Sequence, residues 1–254
     1  MSPHITLTAI AGIPLIHPGD DLSAILIDAF ERNTIRLQDG DIVVIAQKIV
    51  SKAEGRYVDL NNIQPSLRAN ELAQAVDKDP RLVEVILSES EEVLRYRPGV
   101  LIVVHRLGFV LANAGVDRSN IESQGDERVL LLPQDPDASC VHMQACLAGY
   151  FGVELGVIIN DSIGRAWRNG TVGTAIGVAS VPALVDLRGK GDLFGRELLV
   201  SQVGFADEVA AAASMLMGQS DEGLPVVLVR GLEWQPSDDG ISALLRPKQL
   251  DLFR

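Results

Sequence analysis

Short apolar runs alternate along the chain with longer segments whose apolar residues recur at helical spacing. The short runs are rich in Val, Ile and Leu and predict strands at 42–46, 101–105, 109–112, 129–132, 156–159, 175–179, 198–203 and 226–229. The longer segments predict helices at 21–33, 65–77, 80–96, 135–152 and 205–218. Two of the strands follow each other closely, and the short turn at 106–108 between them predicts a β-hairpin. The pattern therefore favours an α+β fold with mixed sheets over purely parallel winding.

Composition limits the classes of partner. The 254 residues are 47% hydrophobic and 22% charged, which is enough for a substantial core in one or two domains. A net charge of −12 and an aromatic content of 4% argue against nucleic acid and anionic membranes as partners. Since no apolar run approaches the roughly 20 residues of a membrane span, and the N-terminus lacks the basic start of a signal peptide, we expect a cytoplasmic protein.

Cysteine and histidine usage does not indicate a metal centre built on sulfur or imidazole. Cys140 and Cys146 are separated by five residues on a predicted helix, which fits no zinc pattern, so we expect both to be small buried apolar residues. The histidines are scattered, and we expect structural or surface roles for His4, His17, His105 and His142. The chain also lacks a GxxxxGK[ST] phosphate loop and a GxSxG nucleophile motif.

Four segments next to the apolar runs are candidate site loops: 11–16, 47–55, 113–120 and 160–170. Asp117 and Asp161 each follow a predicted strand, which is where ligands bind in open sheets. Two carboxylates from separate loops, together with the Ser162 hydroxyl, are a set of hard oxygen ligands. Such a set suits Mg²⁺ or Mn²⁺, which share the rest of their coordination shell with phosphate oxygens.

Cationic side chains accompany these acids. Arg165 and Arg168 suit the anionic groups of a substrate, and Lys48 and Lys52 can hold phosphates as point charges. Residue types alone therefore indicate metal-assisted phosphate chemistry. A structural alternative stays open for each loop taken singly, because Asp and Asn after strands also form turns and helix caps.

Two further segments have structural interpretations on residue type alone. We expect Trp167 to be a core anchor rather than a stacking platform. The segment 217–223 has the pattern of a helix C-cap followed by an acidic turn.

Motifs along nearly the whole chain, in order, resemble those of the coenzyme F420-0:L-glutamate ligases. They are GIPLI (12–16), GDIVVIAQKIVSKAEGR (40–56), NAGVDRSN (113–120), LLPQDPDAS (131–139), NDSIGRAWRNGTVGTAIG (160–177), DLFGREL (192–198), ADEVAAAASMLMG (206–218) and VVLVRGL (226–232). The resemblance implies a GTP-dependent enzyme that joins L-glutamate through γ-links to a deazaflavin cofactor. It also implies a divalent metal (Mn²⁺ or Mg²⁺) and a monovalent cation (K⁺).

The fold implied by the resemblance is an α+β arrangement of two interleaved subdomains in an intertwined homodimer. We expect residues 1–254 to form a single ligase unit without the C-terminal oxidoreductase domain that some relatives carry.

Site residues carry over position by position. The resemblance assigns nucleotide contacts to Gly12, Ile13, Pro14, Leu15, Gln47, Lys48, Lys52, Asn120, Met217, Gly218, Gln219, Ser220, Asp221, Glu222, Gly223 and Leu224. It assigns metal ligation to Asp117, Asp161, Ser162 and Gln219. We expect catalysis to rest on Asp117, Asp161, Lys52, Arg165 and Arg168, the two arginine roles being our own inference from their charge.

The sequence departs from the family pattern at two of these positions. Ser162 replaces a threonine and keeps the hydroxyl. Gln219 replaces a glutamate that binds a second metal, and the neutral amide should hold a divalent ion less tightly. Either the second metal is lost, or Asp221 or Glu222 takes over the ligand role.

The reaction implied by the resemblance begins with attack of the acceptor carboxylate on the GTP γ-phosphate. The resulting acyl phosphate then reacts with the glutamate amine. Two alternatives stay open: a γ-glutamyl ligase for another acidic metabolite, and a non-catalytic nucleotide-binding protein of the same fold.

Overall fold

The computed structural model describes residues 3–119 and 127–252. In those ranges the chain forms twelve strands and six α-helices: β1 (Thr6–Ala9), α1 (Leu22–Arg32), β2 (Ile42–Ala46), α2 (Gln47–Ala53), β3 (Tyr57–Asp59), α3 (Leu67–Val76), α4 (Pro80–Ser88), β4 (Ser90–Arg97), β5 (Val100–His105), β6 (Val110–Ala112), β7 (Arg128–Leu130), α5 (Pro136–Phe151), β8 (Gly156–Gly164), β9 (Thr171–Ala179), β10 (Val185–Asp186), β11 (Gln202–Val203), α6 (Phe205–Met217) and β12 (Val226–Arg230).

The largest sheet has five strands in the order β1-β12-β2-β8-β9. Strands β2 and β8 run parallel, and every other neighbouring pair in this sheet is antiparallel. The side chains of 42–45 and 156–159 are buried, which explains why these two segments are continuous apolar runs. Helices α5 and α6 pack against β8 and β9 and complete the main core.

A smaller sheet, β4-β5-β6, packs with α3 and α4 around its own apolar cluster. The predicted hairpin is confirmed, because β5 and β6 pair antiparallel with Val104 opposite Val110. A separate two-stranded ladder joins β3 to β7. The mixed sheets confirm the α+β class, whereas interleaved subdomains and the dimer stay predictions.

Local sequence explains where the helices start and stop. Asp21, Asp79 and Asp135 each accept a backbone N–H of the first turn of α1, α4 and α5. These side chains satisfy donors that a helix start otherwise leaves unpaired. Helix α5 ends at Gly152, whose left-handed conformation suits a residue without Cβ. None of the helices in the described ranges is both long and apolar enough to cross a membrane.

The helix predicted at 80–96 is wrong in its second half. Helix α4 stops at Ser88, and the following residues form β4, which pairs with β5. The polar run SESEE (88–92) interrupts the apolar stripe of the helix, so continuing it would bury little. Arg97 pairs with Val100, and the two-residue turn between them closes the hairpin.

Three other predictions on the elements need correction. The strand predicted at 198–203 is only Gln202–Val203, and Leu199 and Val200 are exposed. The loop expected at 47–55 is mainly helix α2. Strand β8 continues through the polar residues 160–164, so the segment expected to be a loop starts only at 165. The predictions also omitted β1, β3 and β10.

Candidate functional site

A cavity of about 760 Å³ opens at one edge of the five-stranded sheet. The parallel strands β2 and β8 both reach this edge, where Ala46 at the end of β2 pairs with Asn160 of β8. Strand β12 is antiparallel to β2 and begins at the same edge, where Ala46 N–H donates to the Pro225 carbonyl at 2.8 Å. The topology therefore brings the segments after β1, after β2 and before β12 to one place.

The cavity wall contains most of the residues that the sequence singled out. These are Ile13, Pro14, Leu15, Gln47, Lys48, Lys52, Asp117, Asp161, Ser162 and all eight residues of 217–224. Gly12, Arg165 and Arg168 do not line it. Instead, the Gly12 carbonyl accepts from Arg32 Nη2 at 3.1 Å. The predicted contact Asn120 lies outside the described residues.

Several wall residues escaped the sequence analysis. They include Ile16, His17, Ala46, Ile49, Tyr57, Ser119, Asn160, Thr171 and Pro225. Ser119 and Asn160 lie within motifs that were recognised, one residue or two from the chosen acids. Ile16, Ile49, Ser119 and Asn160 also lie in the four candidate loops, and that position was the signal in the sequence that could have identified them.

Asp117 sits in a network of hydrogen bonds. Lys48 Nζ lies 2.8 Å from Asp117 Oδ2 and donates to Ser119 Oγ at 2.6 Å. Ser119 in turn donates its backbone N–H to Asp117 Oδ1 at 2.7 Å and its hydroxyl to Oδ2 at 3.1 Å. Burial acts to raise the pKa of Asp117, but the bonds from Lys48 and Ser119 outweigh it and hold that pKa below its usual value.

A left-handed turn places Asp117. Asn113, Ala114 and Gly115 have consecutive φ values of 52°, 54° and 66°. Ala114 is fully buried, and two non-glycine residues in a row in this region carry a real conformational cost. Asn113 Oδ1 accepts the Leu101 N–H of β5 at 3.1 Å and anchors the turn. Asp117 then pairs through both backbone groups with Leu130 of β7.

Asp161 lies one residue past a shift in the β8–β9 register and has few partners. It belongs to β8, opposite Thr174 of β9. In the described part of the chain, the hydrogen bond to its carboxylate comes from the Ser162 N–H at 2.8 Å. Burial raises the pKa of Asp161 to about 6, and the negative charge of Asp117 adds to the rise against the opposing effects of Ser162 and Lys48.

Helix α2 presents two cations to the cavity. Lys48 and Lys52 are four residues apart, so they lie on the same face of this short helix. Gln47, the first residue of the helix, is buried and accepts from the Ser51 hydroxyl of the next turn at 2.9 Å. The arrangement supplies positive charge on the side of the cavity next to Asp117.

The segment 217–224 is a cavity loop as well as the end of α6. The Glu222 carboxylate accepts the Ser220 N–H at 2.8 Å, and backbone hydrogen bonds lower the pKa of Glu222. Gly218 has φ 71° and ψ −172°, a conformation that belongs to glycine, and a Cβ there would overlap the Glu222 carboxylate. Glu222 therefore shapes the loop, while Gln219 Nε2 donates to Ser214 Oγ at 3.2 Å.

The tip of the β8–β9 hairpin, residues 165–170, extends past the cavity wall. Ser162 and Thr171 of the two strands still line the cavity. Trp167 is 86% exposed, so the expectation that it anchors the core is wrong. Strands β8 and β9 stay paired as far as Gly164 and Thr171, so Trp167 lies in the connection at the end of the hairpin.

Cys140 and His105 have the structural roles expected of them, whereas His17 lines the cavity. Cys140 is fully buried, and Cys146 is half-buried. His105 is fully buried and accepts the Leu107 N–H on Nδ1 at 3.0 Å, a structural role. Within 3–119 and 127–252, no three His, Cys, Asp or Glu side chains come together to hold a metal.

The donor set at the cavity fits a hard divalent cation that also binds a ligand. Asp117 and Asp161 supply two carboxylates, and Ser162 supplies a hydroxyl. Magnesium-like ions take one or two protein carboxylates and fill the remaining positions with phosphate oxygens and water.

Comparisons with known proteins assign the chain. A family model described as F420-0:Gamma-glutamyl ligase matches residues 11–231. The chain belongs to this family. It is 46% identical over 252 residues to a coenzyme F420:L-glutamate ligase of Methanothermobacter thermautotrophicus, covering 98% of this chain and 99% of the relative. It is 44% identical to the ligase of that name from Methanopyrus kandleri (94% and 93%), and 40% identical to that from Archaeoglobus fulgidus (96% and 94%).

Proposed function

We propose that the protein is a ligase of coenzyme F420 biosynthesis that joins L-glutamate through γ-links to coenzyme F420-0 with consumption of GTP. Membership of the family and the near full-length identity of 46% to a coenzyme F420:L-glutamate ligase support the activity. The observation that carries the proposal is the cavity that gathers Asp117, Asp161 and Lys48 at one sheet edge, since acids and a cation together suit phosphoryl transfer.

The nucleotide part of the proposal assigns roles to the cavity wall. Lys48 and Lys52 neutralise phosphate charge, and the loop 217–224 with the segment 13–15 encloses the rest of the GTP. Asp117, Asp161 and Ser162 would hold Mg²⁺ or Mn²⁺. When bound, such an ion offsets the negative charge of the phosphates and of the attacking carboxylate.

The chemistry proceeds in two balanced steps. A carboxylate oxygen of the acceptor attacks the γ-phosphorus of GTP. The bond between the γ-phosphorus and the oxygen bridging it to the β-phosphate breaks, GDP is released, and the acceptor becomes an acyl phosphate. The glutamate amine then attacks the acyl carbon, phosphate leaves, and the nitrogen loses a proton to give the amide. Lys48 favours the first step because its ammonium group, beside Asp117 in the cavity wall, offsets the negative charge of the phosphates that we propose bind there.

The oligomer is part of the proposal. The segment 185–203 exposes Leu193, Phe194, Leu199 and Val200, which are at least 74% accessible. Exposed apolar side chains on one arm are suited to packing against a second copy, so we propose a homodimer.

The test is a coupled assay on the purified protein with F420-0, L-glutamate, GTP, K⁺ and Mn²⁺. The expected result is a gain of glutamyl mass on the cofactor, matched by release of GDP. Asp238→Asn, an exposed acid outside the cavity, is the control variant and should match the wild type.

The other outcomes separate the alternatives. GDP release that depends on Mn²⁺ and an acidic metabolite, without glutamylated F420-0, would identify a ligase for that other acceptor. A folded protein that binds GTP without turning it over would overturn the enzyme assignment in favour of nucleotide binding alone.

A further inference from the structure

One buried carboxylate joins the smaller sheet to the rest of the molecule. Glu89 lies between α4 and β4, and its Oε2 accepts from Arg106 Nε at 3.1 Å and from Arg56 Nη2 at 3.0 Å. His105 Nε2 lies 3.5 Å from the same oxygen. Burial acts to raise the pKa of Glu89, but His105, Arg106 and Arg56 outweigh it and hold that pKa below its usual value. Glu89 is therefore an anion at neutral pH, and two arginines converge on it.

Of the two arginines, Arg56 connects this carboxylate to helix α2. It follows the end of α2 by three residues, and its backbone N–H donates to the Ser51 carbonyl of that helix at 3.0 Å. Its own carbonyl accepts the Leu131 N–H at 3.0 Å, and its Nε donates to the Leu132 carbonyl at 2.9 Å. Arg56 thus binds the end of α2 to the segment that follows β7 and, at the same time, to Glu89.

The segment that Arg56 binds also places Asp117. Leu130 exchanges both backbone hydrogen bonds with Asp117. Lys48 reaches the same carboxylate from α2, with Nζ 2.8 Å from Oδ2. The distance between these two charges in the cavity wall therefore depends on how α2 lies against residues 130–132. Arg56 itself does not line the cavity, so it can act on the site only through this contact between elements.

We propose that Arg56 is a positioning residue for the cavity: held by Glu89, it sets the distance between Lys48 and Asp117. This inference rests on the proposed function, in which Lys48 meets the phosphates of the nucleotide and Asp117 holds the divalent cation beside them. Charges that the fold fixes before a ligand arrives cost no reorganisation when it binds. A loosened α2 would leave Lys48 free to adopt other positions, and the nucleotide would then have to order it on binding.

The competing interpretation is that the ion pair only stabilises the packing of the smaller sheet. A second ion pair separates the two interpretations, because Arg230 also binds a buried carboxylate and a backbone carbonyl. Its Nε donates to Asp41 Oδ1 at 2.7 Å, and its Nη2 donates to the Arg36 carbonyl at 2.9 Å. Asp41 lies five residues before Ala46, so this pair is roughly 16 Å along β2 from the cavity edge. Weakening it should lower stability without reaching the site.

The decisive experiment compares Arg56→Lys with Arg230→Lys. Lysine keeps the charge but lacks the fork of donors with which arginine binds a carboxylate and a carbonyl together, so both variants should lose a similar amount of stability in urea. Two further measurements are amide hydrogen exchange of α2 in the ligand-free protein and the affinity for GDP with Mn²⁺ by calorimetry. Only Arg56→Lys should speed the exchange of α2, by about 10-fold, because local opening of the helix becomes easier. Only Arg56→Lys should weaken GDP binding, by about 3- to 30-fold.

Two more variants make the assignment specific. Glu89→Gln removes the charge that holds Arg56 and should reproduce both effects. Lys48→Ala tests the route, because a residue that acts through Lys48 has nothing left to position once the ammonium group is gone. In that background Arg56→Lys should change GDP affinity by less than about 2-fold, so the two substitutions should be clearly non-additive.

The other outcomes decide against the inference or against the proposed function. Unchanged exchange of α2 in Arg56→Lys would overturn the inference, and so would equal losses of GDP affinity in Arg56→Lys and Arg230→Lys. Additive effects with Lys48→Ala would overturn it as well, because Arg56 would then act on the nucleotide by another route. If the wild type binds no GDP while Arg56→Lys still speeds the exchange of α2, the proposed function fails and the positioning of α2 by Arg56 stands.

Discussion

Asp117 and Asp161 face the same cavity from two different kinds of backbone. Asp117 follows a left-handed turn and is surrounded by donors, with Lys48 Nζ at 2.8 Å. Asp161 lies in strand β8, with ordinary extended pairing to β9, and receives one backbone N–H from its neighbour. The pKa of the first carboxyl is lowered, and that of the second is raised to about 6.

The two acids differ in how the fold compensates the negative charge of the carboxylate. At Asp117 the fold supplies the countercharge itself, so the carboxylate stays ionised whether or not ligands are bound. At Asp161 burial leaves the charge largely uncompensated, and the carboxylate becomes favourable only when positive charge arrives. Asp117 is therefore ionised before any ligand binds. The ionised Asp161 lowers the stability of the protein when the site is empty and strengthens the binding of positive charge when the site is occupied.

The largest effect is expected from removing the fixed charge. Asp117→Asn keeps the shape of the side chain but loses the carboxylate that Lys48 and Ser119 surround. Glutamylation should fall about 10²- to 10³-fold, the usual loss when one preorganised electrostatic partner is removed. Turnover is measured by GDP release, with circular dichroism to verify the fold. More than half of wild-type turnover in a folded variant would contradict the role of Asp117.

The second prediction concerns stability against pH with a chelator present. Asp161 has a folded pKa of about 6, above the unfolded value, so the native state binds more protons between these values. Its contribution to stability is therefore present at low pH and lost as pH rises through about 6. Asp161→Asn should be more stable than the wild type at pH 7 by on the order of 2 kcal/mol, and the gain should shrink toward pH 4.

Asp117→Asn is the matched comparison and should show the opposite sign. The folded pKa of Asp117 lies below its unfolded value, so its contribution is present at neutral pH and disappears as pH falls through the folded pKa. This variant should be less stable than the wild type at pH 7. Urea titrations of both variants measure the difference. A pH-independent shift of the same sign in both would refute the contrast between the two acids.

The turn before Asp117 offers a smaller effect. Asn113→Ala loses the hydrogen bond to the Leu101 N–H and places alanine at φ 52°, at a combined cost of about 1–2 kcal/mol. Asn113→Gly loses the bond but accepts the backbone conformation. The alanine variant should therefore lose more stability and more kcat than the glycine variant. Equal losses would mean that the left-handed backbone is not what holds Asp117 in place.

The sequence identifies both acids because each follows an apolar run, and strand ends meet at one edge of a sheet. What the sequence does not show is their surroundings. Lys48 reaches Ser119 across 71 positions of the chain, and that contact exists only once α2 has formed. The seven-residue α2 was missed because it starts directly after β2 without a side-chain cap.

Trp167 is a second residue whose surroundings the sequence does not show. A core role is the natural expectation for an indole, because tryptophan side chains are on average largely buried. The outcome depends on β8 continuing through polar residues in register with β9, a pairing between segments whose hydrophobic patterns differ. Local pattern decides whether an element exists, whereas exposure at a hairpin tip depends on tertiary pairing.

The smallest effect is expected from adding an acid at position 219. Gln219 lines the same cavity and now donates to Ser214 Oγ. Gln219→Glu replaces the amide by a carboxylate, whose oxygens favour divalent cations. The affinity for Mn²⁺, measured by calorimetry with GDP present, should therefore rise several-fold, which corresponds to about 1 kcal/mol of binding free energy. Gln219→Ala is the control, because it removes the amide without adding charge and should not raise the affinity. Added negative charge should also raise the pKa of Asp161 further and steepen the loss of stability with pH. An unchanged Mn²⁺ affinity would mean that Asp117 and Asp161 alone set the cation site, and that position 219 serves the loop.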